Sequence, residues 1–78
     1  MAYCRLISQI GKKLIYAIGG LYDDITGEIE INTEDLSFSI NKEPQKSKIY
    51  PALISRMIQK YRSALQGGEI PEKMSYEI

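Results

Sequence analysis

A chain of 78 residues, 44% hydrophobic and 26% charged with no net charge, suffices for a single domain over residues 1–78 and leaves no material for a second core. The lack of histidine and tryptophan and the lone cysteine, Cys4, exclude an internal disulfide framework, the usual zinc and haem ligand sets and most familiar catalytic constellations, so neither an enzyme nor a cofactor is expected. No apolar run nears the roughly 18 residues that cross a bilayer and no basic-then-apolar leader opens the chain, which places it in the cytoplasm without a membrane partner.

At 100° per residue, positions 3–18 gather Tyr3, Cys4, Leu6, Ile7, Ile10, Leu14, Ile15, Ala17 and Ile18 on one half of a helical wheel. Arg5, Ser8, Gln9, Lys12, Lys13 and Tyr16 take the other half. The pattern predicts an amphipathic helix closed by Gly19-Gly20. It sets Ile10 in the core and leaves Tyr16 as an exposed aromatic among Arg5, Lys12 and Lys13. The rival assignment ends a short helix at Gly11 and starts a strand in residues 14–21, which are rich in β-formers.

Residues 21–23 can add a strand that turns back through residues 24–27. The period then becomes two: Ile29 and Ile31 alternate with Glu28 and Glu30, and Leu36, Phe38 and Ile40 with Ser37 and Ser39. Joined by Thr33-Glu34-Asp35, these are two half-buried strands of an antiparallel hairpin, with the five large apolar residues on its inner face. Residues 42–48, containing Pro44, form a crossover loop.

Residues 50–65 place Tyr50, Leu53, Ile54, Met57, Ile58, Tyr61, Ala64 and Leu65 on one helical face. Ser47 is a candidate N-cap, Pro51 suits a first turn, and Gly67-Gly68 supplies the stop. Positions 3–8 and 50–55 share a Tyr-x-x-Leu-Ile-Ser pattern, taken as two helices meeting the same packing demand rather than as a duplication. In the tail, Met74, Tyr76 and Ile78 alternate with polar residues and allow a short strand after Pro71. The expected class is α+β in the order α-β-β-β-α, two amphipathic helices covering one face of a small antiparallel sheet.

Charge is separated along the chain. Residues 1–22 hold Arg5, Lys12 and Lys13 and no acid; residues 23–41 hold Asp23, Asp24, Glu28, Glu30, Glu34 and Asp35 and no base; residues 42–66 hold Lys42, Lys46, Lys48, Arg56, Lys60 and Arg62 against Glu43. The six acids lack the spacing of a calcium-binding loop, so no metal is expected. They suit contact with a basic protein surface, by charge complementarity or by strand pairing. The alternative is phosphate binding by Lys46, Lys48, Arg56, Lys60 and Arg62, the first two placed at the positive end of a helix dipole. Cys4 is expected to be a buried small hydrophobe.

The α-β-β-β-α order resembles that of double-stranded-RNA-binding domains, although Lys46-Ser47-Lys48-Ile49-Tyr50-Pro51 lacks their glycine-rich entry to the last helix. In size, element order and charged sheet the chain is also similar to small phage-encoded inhibitors, anti-CRISPR proteins among them. Such a resemblance implies a non-enzymatic module that binds a protein partner, and a homodimer built through the sheet edge is compatible with the same features.

Overall fold

The computed structural model describes residues 1–77. Seven elements follow in order: β1 (Ala2–Ile10), β2 (Lys13–Gly19), β3 (Gly27–Asn32), β4 (Phe38–Lys42), α1 (Pro51–Lys60), α2 (Arg62–Gly67) and β5 (Lys73–Tyr76). The strands form one antiparallel sheet in the order β4-β3-β2-β1-β5. The α+β class therefore holds, with five strands and all helix in a single stretch between β4 and β5.

The largest departure from the sequence expectation is at residues 3–18, which form a β-hairpin. Ile10 pairs with Lys13 across the two residues Gly11 and Lys12. Gly11 has φ +59° while Lys12 is not in the positive-φ region, the pattern of a type II′ turn, whose twist matches that of paired strands. Ala2, Cys4, Leu14, Tyr16 and Ile18 are buried on the inner face, and Leu6 packs against them. Period two was masked because the other parity also carries Tyr3, Ile7, Ile15 and Ala17, so the apolar residues fill half of a helical wheel by number alone. A register shift between Leu6 and Ser8 leaves Ile7 unpaired and exposed. The rival strand over residues 14–21 is closer to the structure, although β2 stops at Gly19. Residues 21–23 are no strand; they belong to the loop joining β2 and β3.

The β3–β4 hairpin agrees with the alternation, with Ile29 and Ile31 fully buried and Phe38 and Ile40 half-buried on the same face. Leu36 is not part of β4, because φ is +60° there and its N–H donates to Asn32 O at 2.8 Å to close the turn. Tail residues Met74 and Tyr76 pair in β5 as expected, and Ile78 lies outside the described residues.

Helix α1 buries Leu53, Ile54, Met57 and Ile58, the side-chain stripe read from the periodicity. Its N-cap is Tyr50, which supplies no side-chain cap, and Pro51 fills the first turn. At Tyr61 the ladder loosens: its N–H is shared between Met57 O and Ile58 O, both at 3.2 Å, before α2 resumes and Gly68 ends it with φ +86°. The elements form one layer of helix on one sheet face, which leaves the other face of the sheet without a helical cover.

Ile10→Asp separates the hairpin from a helix over residues 3–18, with Ile54→Ala as the core reference. Ile54→Ala, at a fully buried position, should lower unfolding free energy by about 2–5 kcal/mol. Ile10→Asp should change it by no more than about 0.5 kcal/mol, because Ile10 is 69% exposed at the hairpin tip. Urea unfolding followed by circular dichroism reads both, and a severe loss in Ile10→Asp would restore the helical arrangement.

Candidate interaction surfaces

The six acidic residues of the β2–β3–β4 region do not act as one surface. Asp24 is 4% exposed. Its Oδ2 accepts Lys46 N–H at 2.9 Å, Ser47 N–H at 2.6 Å and the Ser47 hydroxyl at 2.8 Å, while Oδ1 accepts the Thr26 hydroxyl at 3.0 Å. Ser47 Oγ in turn accepts Gly20 N–H at 2.9 Å, and Thr26 Oγ1 accepts Gln45 N–H at 2.8 Å. The Ser47 hydroxyl bond, backed by the backbone donors and Thr26, holds the Asp24 carboxyl well below its usual range, at about 2, against the opposing effect of burial. Asp35 is also local in action: Oδ1 accepts Ser37 N–H at 2.9 Å and Ser37 Oγ–H at 2.7 Å, which lowers its pKa and closes the β3–β4 turn.

The remaining four are on or near the surface. Glu34 pairs with Lys12 across the two hairpin tips, and Glu30 with Lys13 at 3.6 Å. Glu28 Oε2 accepts an amide hydrogen from Asn41 at 3.2 Å. Asp23 is exposed, with no hydrogen bond or ion pair of its side chain among the described residues. Glu28 and Glu30 point to the sheet face opposite Ile29 and Ile31 and stand one strand in from the edge strand β4.

The basic set divides similarly. Lys46 and Lys48 precede α1 by several residues, so they stand in the crossover loop rather than at the helix start. The anion that this loop meets through backbone N–H groups is Asp24. Arg56, Lys60 and Arg62 are exposed on the helices, and Lys60 donates to Ser75 O at 3.1 Å while lying 5.2 Å from the Tyr61 ring centre. With β1 and β2 as the opening elements, the element-order likeness to double-stranded-RNA-binding domains is gone.

The tyrosines exchange places relative to expectation. Tyr16 is fully buried and its hydroxyl donates to Pro71 O at 2.7 Å, with burial raising the phenol pKa to about 12. Tyr50 is exposed instead. Cys4 is buried as expected, near Met57 Sδ at 3.9 Å, and burial pushes its thiol up to about 12, far from a reactive thiolate.

The two sheet edges differ, and no sequence pattern foretold which strands would occupy them. At β5 the outer edge is covered: Ser75 N–H donates to Tyr61 Oη at 3.2 Å and Ser75 O accepts from Lys60. At β4 no hydrogen bond from the helices to the strand is present among the described residues, α2 reaching only the preceding turn, where Gln66 Nε2 donates to Glu34 O at 3.2 Å. Asn32 N–H donates to Ser37 O at 2.9 Å, and Glu30 pairs with Ser39 in the same register. By the alternation of an antiparallel ladder, Ser37 and Ser39 turn their backbone groups towards β3 while Phe38 and Ile40 turn theirs outwards. Sequence alternation identified Phe38 and Ile40 as inner-face side chains without revealing this second property.

No family model, no curated protein and no solved structure matches this chain.

The Asp24 bonds make stability depend on acidity. Because the folded-state pKa of about 2 lies below the ordinary value of 3.8, the stabilisation is complete above pH 4 and is lost as pH falls through 2. Asp24→Asn should lower the urea midpoint at pH 7 and give a shallower decline between pH 4 and pH 2 than the parent protein, with Asp35 supplying the residual slope. Parallel declines in the two proteins would contradict the assignment.

Proposed function

We propose that the protein is a non-enzymatic interaction module that takes up an extended segment of a partner protein along β4, with the neighbouring acidic side chains selecting basic residues. The observation that carries this is the unequal treatment of the two edges: side chains of Tyr61 and Lys60 cover β5, whereas β4 is left open with the backbone groups of Phe38 and Ile40 turned outwards. An uncovered edge is a template for strand addition, and proteins that do not use one commonly block it. The register shift and Lys42 at the C-terminal end of β4 confine such pairing to the segment around Phe38, Ser39 and Ile40.

Glu28 and Glu30 supply the charge component. Strands lie about 4.8 Å apart, so an added strand runs about 10 Å from β3, within the combined reach of a glutamate and a lysine or arginine. Their existing partners are exposed and weak enough to be exchanged, the Glu30–Lys13 pair being 3.6 Å apart. A second copy of β4 is the other occupant this edge admits, which sedimentation of the isolated protein would reveal.

A direct probe is a ten-residue peptide of alternating lysine and valine, with a glutamate–valine peptide as control. Titration into ¹⁵N-labelled protein should shift the amide resonances of Phe38 and Ile40 and slow their hydrogen exchange with the basic peptide alone. Glu28→Lys with Glu30→Lys should weaken binding at low salt, and added salt should narrow the difference. Ile40→Pro, which removes an outward N–H, should abolish the effect if the folded spectrum is retained. Perturbations centred on α1, or indifference to the charge reversal, would refute the proposal.

A further inference from the structure

The sheet face away from the helices carries a second feature, independent of the β4 edge. Gly19 sits on that face, and a Cβ there would stand 1.9 Å from Asp24 O, so the β2–β3 loop can fold over the end of β2 only because this position is glycine. The loop brings Tyr22 to Tyr3 of β1, with ring centres 5.7 Å apart and planes at 88°. Tyr22 is 76% exposed. Beside them, Arg5 of β1 and Lys73 of β5 stand directly opposite each other in the ladder, both exposed.

Two like charges in one cross-strand pair oppose sheet formation, and among the described residues no carboxylate lies within ion-pair distance of either. The acids nearest in position are Glu28, in the same row two strands away, Glu72, next to Lys73 in sequence, and Glu77, whose Oε1 lies 3.5 Å from the Tyr3 hydroxyl. Arg5 and Lys73 also border two adjacent hollows. One, of about 470 Å³, is lined further by Tyr3, Tyr22, Ile25 and Ser75 and, from the α1–α2 junction beside β5, by Tyr61. The other, of about 370 Å³, is lined further by Leu6, Ile7, Ser8 and Glu72.

We infer that this cleft binds single-stranded nucleic acid, one base resting against Tyr22 and Tyr3 and the adjoining phosphate between Arg5 and Lys73. The unneutralised pair favours an anion. The tyrosines beside it add planar, partly exposed π-surface, which suits a nucleobase better than an acidic side chain. A hollow of this size accommodates an unstacked base, which a duplex does not present. The continuation past the cations into the second hollow, with exposed Ile7 on its rim, gives a strand a path onward along β1. This surface is distinct from β4, and of the basic helical set only Lys60, beside Tyr61 and Ser75, borders it.

Fluorescence anisotropy with labelled eight-nucleotide oligo-U and oligo-dT tests it, using unlabelled adenosine monophosphate, a twelve-base-pair duplex and octaglutamate as competitors. The single strands should bind with a log–log salt slope near about −0.7, from the one phosphate held between Arg5 and Lys73. Arg5→Ala with Lys73→Ala should remove that slope, and Tyr22→Ala should weaken binding about tenfold while preserving it. Lys12→Ala should change neither, and circular dichroism confirms the fold of each variant. The inference is overturned by absence of binding at low salt, or by displacement with the mononucleotide, the duplex or octaglutamate at concentrations matching the single strand. It also fails if binding survives the Arg5, Lys73 double change yet is lost when Lys46, Lys48, Arg56 and Arg62 become alanine.

Discussion

The fold closes on one carboxylate. Asp24 receives four hydrogen bonds from Lys46, Ser47 and Thr26, and these fasten the β4–α1 crossover to the β2–β3 loop, two segments more than twenty residues apart in the chain. Glycines make the approach feasible: a Cβ at Gly20 would lie 2.2 Å from Lys48 O, and one at Gly27 2.8 Å from Lys42 O. Ordinary surface carboxylates add little to stability. This one is withdrawn from solvent with its lone pairs satisfied, and it fixes the point from which the chain enters α1.

From that anchor the distribution of exposed features follows. The crossover delivers the helices onto the Ile18, Ile29 and Ile31 face, the helices end where Lys60 and Tyr61 reach β5, and the β4 edge and the opposite face are left without helical cover, the β2–β3 loop folding over the Gly19 end of that face. The charges sort on this frame. Acids that seemed to form one cluster divide into loop fasteners, Asp24 and Asp35, and strand-borne Glu28 and Glu30, whereas the cationic pair on the outer face is drawn from β1 and β5, near the two ends of the chain.

How much of this was legible in the sequence varied with the number of solvated faces. The β3–β4 strands were clear because carboxylates and serines mark one face, and α1 was clear because polar residues fill its outer arc. The β1–β2 hairpin was hidden because its outward residues include Ile7, Ile15 and Ala17. The shared Tyr-x-x-Leu-Ile-Ser pattern shows the limit well: Leu6-Ile7-Ser8 lies in a strand and Leu53-Ile54-Ser55 in a helix. Pro51 and Ala52 favour helix entry at the second site, while Gly11 and partners on both sides impose a ladder at the first. Asp24, Lys46 and Ser47 were each singled out by charge or capping tendency, yet their mutual contact depends on a crossover whose path local patterning does not encode.

The central claim is that β4 is the open edge that receives a partner. Isotope-filtered nuclear Overhauser spectroscopy, with labelled protein and the unlabelled lysine–valine peptide, examines it most directly. The account predicts intermolecular backbone contacts from Phe38, Ser39 and Ile40 to alternate residues of the peptide, as in an extended ladder. Intermolecular contacts confined to α1 or to β5 would contradict it.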